Sequence, residues 1–73
     1  MTSYTVRFRE TERYDPIKDR EVLLMMAITP AGSWHCEVSS EAGSALRTKR
    51  QAFREYVFGA MALGQKPKEV NLG

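Results

Sequence analysis

The chain has 73 residues, 42% of them hydrophobic and 27% charged, with 11 lysines and arginines against 9 aspartates and glutamates for a formal net charge of +2. One domain spanning residues 1–73 follows, with a thin core, because so short a chain buries only roughly 60% of its unfolded surface. The composition excludes a disordered tail, no apolar run approaches the roughly 20 residues of a membrane span, and the N-terminus lacks the apolar core of a secretion signal. A lone cysteine, Cys36, excludes an internal disulfide and fits a reducing compartment, so the cytoplasm is the expected location.

Residues 4–10 alternate, with Tyr4, Val6 and Phe8 on one side and Thr5, Arg7 and Arg9 on the other, the pattern of a half-buried strand. Residues 11–20 are polar and contain Asp15-Pro16, which predicts a charged loop. Residues 21–29 predict a second strand. Pro30-Ala31-Gly32 predicts a turn, and residues 33–39 a third strand with Trp34, Cys36 and Val38 on one side. So short a link pairs strands two and three as a hairpin. A connection over residues 40–47 then leads to a helix at 48–63.

The helix has punctuation at both ends. Thr48 and Gln51 have the spacing of a capping box, with Ser44 an alternative start; Gly64 suits a C-terminal cap and Pro67 bars continuation. At about 100° per residue, Ala52, Phe53, Tyr56, Val57, Ala60 and Leu63 form the stripe that should face the sheet. Val70-Asn71-Leu72 predicts either a short fourth strand or a docked tail. The expected fold class is α+β: a small antiparallel three-stranded sheet packed on one C-terminal helix, β-β-β-α with or without a closing strand.

Two surfaces are not absorbed by that core. Strand two is apolar on both sides, Val22, Leu24, Met26 and Ile28 against Leu23, Met25 and Ala27, yet one helix covers only one side of a sheet. Leu23 and Met25 are expected on the uncovered side, flanked by Arg7, Arg9, His35 and Glu37, where a loop, the tail, a partner or a second copy would cover them. On the helix, Phe58 lies opposite the buried stripe, with Arg50, Arg54 and Met61 on the same outer flank. An aromatic beside arginines is the composition of interface hot spots.

Catalytic chemistry has no visible scaffold. His35 and Cys36 are adjacent, and neighbours in a strand point to opposite faces, so they cannot form a nucleophile–base pair. One histidine and one cysteine do not make a four-ligand zinc site. The glycines are scattered and form no phosphate-binding loop. No enzyme activity, cofactor, metal or small-molecule substrate is expected.

Two functions are therefore expected in order. The first is protein binding by surface occupation, as an inhibitor, an adaptor or a homodimer. The alternative is nucleic-acid binding through the basic helix start, Arg47, Lys49, Arg50 and Arg54. Positive charge at the positive end of the helix dipole is unfavourable alone, and a phosphate would complete it.

Thr48-Lys49-Arg50-x-Ala52, continuing to Ala60-Met61, resembles the Ser-Lys-Lys-x-Ala…Ala-Leu end of double-stranded-RNA-binding domains, which implies that Lys49 and Arg50 grip phosphates. Gly32-x-Trp34 followed by Thr48-Lys49-Arg50-Gln51-Ala52 is similar to the arm-binding domains of phage integrases. That likeness implies a sheet entering a major groove with Arg7, Arg9, His35 and Glu37 presented. In size and lack of chemistry the chain also resembles phage-encoded inhibitors, anti-CRISPR proteins among them, a likeness of type carried by no residue motif.

Overall fold

The computed structural model describes residues 6–39 and 43–72. The elements follow as β1 (Arg7–Asp15), β2 (Arg20–Thr29), β3 (Gly32–Ser39) and α1 (Ala45–Ala62). The three strands form one antiparallel sheet in the order β1-β2-β3, with the helix against one side, an α+β arrangement. No helix among the described residues is long and apolar enough to cross a membrane. Tyr4 and residues 40–42 of the predicted connection lie outside the described residues.

Register is regular throughout. Phe8 stands opposite Ala27 and Thr11 opposite Leu24, while Ala27 stands opposite Trp34 and Met25 opposite Cys36. Both hairpins have short connections. Thr29 pairs with Gly32 across Pro30-Ala31, and the φ of +135° at Gly32 is one that L side chains rarely adopt.

The segment 11–15 is strand and not loop, correcting the expectation. An edge strand open to solvent needs no apolar alternation, and here polar and charged residues alternate instead: Thr11, Arg13 and Asp15 on one side, Glu12 and Tyr14 on the other. The loop shrinks to residues 16–19. Asp15 Oδ1 accepts the N–H groups of Ile17 (3.0 Å) and Lys18 (3.3 Å), and Asp19 adopts a φ of +52°. At the same turn Tyr14 donates its hydroxyl hydrogen bond to Asp19, which pushes the phenol above its ordinary pKa.

The core forms between the helix and one side of the sheet. Leu23, Met25 and Ala27 of β2 meet Trp34, Cys36 and Val38 of β3, and Phe53, Val57 and Ala60 close over them. Each buried Leu, Met, Val or Phe of this set stabilises by about 1.5–3 kcal/mol relative to exposure. Leu23 and Met25 are therefore inside, and the expectation that they face outward is corrected. The register across Thr29–Gly32 puts them on the same side as Trp34, which has the largest apolar body of the chain to bury.

The helix begins one turn earlier than Thr48, after Ser44, which makes no side-chain capping bond; Gln51 donates to Glu55 (3.4 Å) and not back to a cap. The far end is built as expected. Gly64 sits at φ +73°, its N–H bonds Met61 O (3.0 Å), and Gln65 N–H bonds Ala60 O (3.0 Å), a Schellman pair that satisfies the last carbonyls. Leu63, placed by periodicity in the buried stripe, is the C-cap residue and is 76% exposed. Tyr56, at the stripe's margin, is also exposed, with its ring edge-on to Trp34 at 6.1 Å.

The tail docks without forming a full strand. Glu69 makes a single parallel bridge to His35; Val70 N–H donates to His35 O (2.7 Å), and His35 N–H to Lys68 O (3.4 Å). Val70 joins the core, and Leu72 packs against it. The free edge of β3 is thereby partly covered by the chain itself.

Candidate partner-binding surface

The side of the sheet away from the helix is set by the same register. β1 presents Arg7, Arg9, Thr11 and Arg13 there, β2 presents Val22, Leu24, Met26 and Ile28, and β3 presents Ser33, His35, Glu37 and Ser39. Leu24, Met26 and Ile28 are half-buried, and they belong neither to the core cluster nor to the residues packed against it. An apolar strip thus runs down the middle of the open side between polar margins. Arg13 forms an ion pair with Glu37 on the far strand, so the pair spans β2 between Val22 and Leu24, and Val22 is buried at that end.

Arg7 and Arg9 stand exposed at the β1 margin, as expected, with no ion pair among the described residues. Glu37 is exposed at the β3 margin and His35 half-buried beside it. Cys36, by contrast, points into the core at 1% exposure, and burial pushes its thiol pKa up. The two neighbours lie on opposite sides of the sheet. Among the described residues no three His, Cys, Asp or Glu side chains gather into a metal-sized cluster.

On the helix side, the flank over β1 is occupied by its own contacts. Arg50 forms a two-point pair with Glu10, Nε to Oε2 at 2.6 Å and an Nη to Oε1 at 2.8 Å, which holds the guanidinium above its usual pKa. The Arg54 guanidinium lies 4.9 Å over the Phe8 ring, and Phe58 meets the same ring edge-on at 5.7 Å while remaining 53% exposed. Phe8 is the residue that gathers this flank, touching Phe53 as well at 6.3 Å. Met61, expected on the outer flank, is partly buried against the core, because the helix turns that edge toward the tail. Arg47 and Lys49 make no ion pair among the described residues, and the first helical turn contains no acid.

A depression of about 630 Å³ opens between the β2–β3 turn and the end of the helix, with Trp34, Met61 and Pro67 in its wall. The Trp34 indole N–H is buried and has no hydrogen-bond partner among the described residues.

The structure thus brings Arg7, Arg9 and Glu37 onto one side and Arg50, Arg54 and Phe58 onto another, and sends Leu23 and Met25 to the interior. Arg13 and the Leu24–Met26–Ile28 strip were not singled out by pattern. The signal that identifies the strip is the two-residue turn, since Thr29 opposite Gly32 aligns the odd residues of β2 with Trp34, Cys36 and Val38. No protein-family model matches the chain, and no curated protein or solved structure is significantly similar to it.

Proposed function

We propose that the protein is a non-enzymatic binding module that occupies the surface of another protein with the open side of its sheet, as a small inhibitor or adaptor does. The observation that carries this is the strip of Leu24, Met26 and Ile28, left without a helix and rimmed by Arg7, Arg9, His35 and Glu37. An apolar centre inside a polar rim, with methionine and arginine represented, is the anatomy of protein interfaces. Methionine adapts to irregular partners. Arg7 and Arg9, without ion pairs among the described residues, ask for an acidic rim on the other side. A standard footprint of about 800 Å² would take roughly a seventh of the 5461 Å² surface.

The test is a pair of substitutions, Leu24→Ser with Met26→Ser. Because both side chains are half-exposed, the double variant keeps its far-UV circular dichroism and most of its stability. It should lose a protein that the wild type retains from nuclease-treated extract of its source cell. A wild type that stays monomeric from micromolar to millimolar concentration and retains nothing, or a variant that binds as well as the wild type, defeats the proposal. Concentration-dependent dimerisation abolished by the same two changes would identify a second copy as the occupant.

A second function, nucleic-acid binding, is favoured by one observation: the acid-free first helical turn with Arg47 and Lys49 uncommitted. Arg50 and Arg54 are occupied by Glu10 and Phe8, so half of the predicted basic cluster already has partners within the chain. Binding of duplex DNA or RNA at low salt, with a salt slope flattened by Lys49→Ala, would support it. No binding at low salt ends it.

A further inference from the structure

The hydrogen bonds at the sheet's two margins determine which backbone groups of β1 face outward. His35 bonds the tail through both its N–H and its C=O, so on β3 the odd residues point away from β2 and the even residues bond to it. Trp34, Cys36 and Val38 stand opposite Ala27, Met25 and Leu23, so the even residues of β2 must turn toward β1. Ile28, Met26, Leu24 and Val22 then share bonds with Arg7, Arg9, Thr11 and Arg13. What remains is a row of outward N–H and C=O groups on Phe8, Glu10, Glu12 and Tyr14. Among the described residues no backbone group bonds to that row, whereas the opposite edge has the tail.

An open edge nine residues long is a template for another strand. A second copy is a poor occupant. Two-fold antiparallel pairing of β1 with itself keeps side-chain parity, so the axis passes through one residue. Centred on Thr11, it sets Arg9 against Arg13 and Glu10 against Glu12; centred on Glu10, it sets Arg7 against Arg13. Centred on Arg9, Glu12 or Arg13, it sets that residue against its own like charge. Each of these registers carries a like-charge pair directly across the ladder, which is destabilising.

We propose that the outer edge of β1 is a strand-addition site for an extended segment of another protein, whose side chains alternate and are acidic on the side shared with Arg7 and Arg9. This rests on the protein-binding function proposed above and gives it a geometry. The added strand extends the sheet, pairs carboxylates with Arg7 and Arg9, which have no ion pair among the described residues, and leads the partner's chain onto the open side. Backbone bonds supply affinity and the alternating charges choose the sequence.

The experiment uses two peptides the length of β1, one alternating glutamate and valine, the other lysine and valine, with amide exchange read by NMR on the whole chain. The glutamate peptide should slow exchange at Phe8, Glu10, Glu12 and Tyr14 by about tenfold or more, and the lysine peptide should not. Arg7→Glu with Arg9→Glu should invert that preference. Glu12→Pro, which removes an outward N–H and leaves the ladder bonds to β2 in place, should abolish the slowing while the circular dichroism stays that of the wild type, and Glu12→Gln, which loses only the charge, should not. If neither peptide slows those four amides, or both do so equally, the charges merely keep the edge solvated and the proposal falls. Should it fall while Leu24→Ser/Met26→Ser still abolishes partner capture, the binding module stands and only the strand addition is lost.

Discussion

Met25 and Met26 are chemically identical neighbours on β2, and the fold predicts very different costs for shortening them. Met25 is 2% exposed in the core, whereas Met26 is half-buried on the open side. Truncation to alanine removes three heavy atoms, worth about 0.8 kcal/mol each when buried, so Met25→Ala loses roughly 2.4 kcal/mol of transfer energy. The cavity left behind brings the cost into the 2–5 kcal/mol range seen for such changes. A domain of this size has on the order of 4–11 kcal/mol in total, so this variant loses a large share. Met26→Ala should cost under about 1 kcal/mol, because the same atoms already touch water. Urea titration followed by Trp34 fluorescence and far-UV circular dichroism measures both. Met25→Leu, near in volume, should cost less than about 1.5 kcal/mol and keeps the comparison usable if the alanine variant unfolds. Equal costs, or a larger one at Met26, would mean that the helix covers the other side of the sheet.

Three further outcomes follow from particular contacts. Burial raises the Cys36 pKa, so the folded chain holds its proton after the unfolded chain has begun to lose it. The associated stability is complete below about pH 8.5 and declines as pH rises through the folded value. Cys36→Ala should remove that alkaline decline in paired urea titrations, and a disulfide-exchange reagent should label the native thiol slowly and the urea-unfolded chain fast. At Gly64 a Cβ would meet nothing within 4 Å, so Gly64→Ala should cost only the left-handed backbone penalty, about 1–2 kcal/mol, with Gly64→Asn cheaper; a larger loss would point to a contact absent from this site. Breaking the Arg50–Glu10 pair by Glu10→Gln should lower the unfolding midpoint slightly and less so in high salt, and an effect independent of salt would argue against an ionic origin.

Much of this fold is legible in local chemistry. Alternation around Trp34, Cys36 and Val38, the Pro30-Ala31 turn and the Gly64 stop each specify their element through backbone preference or a period of two, with little help from distant residues. β1 beyond Glu10 escaped because a solvent-facing edge strand is written in charges, and charges also write loops. The helix start was legible only as two candidates, Thr48 and Ser44, and the structure takes the earlier one, without a side-chain cap. Apolar periodicity could not choose a side for β2, since both of its sides are greasy. Phe58 was placed outward by angle alone, and its contact with Phe8 depends on which strand lies under that flank.

From the sequence by itself came the α+β class, one domain, three strands and a helix, and the rule that one helix covers only one side of the sheet. Tertiary structure decided which side, because a ladder flips every side chain with a one-residue shift and only the pairing of Thr29 with Gly32 sets that shift. It also decided which arginines are spent on internal partners and which remain, a matter of distances between strands and helix that no local pattern encodes.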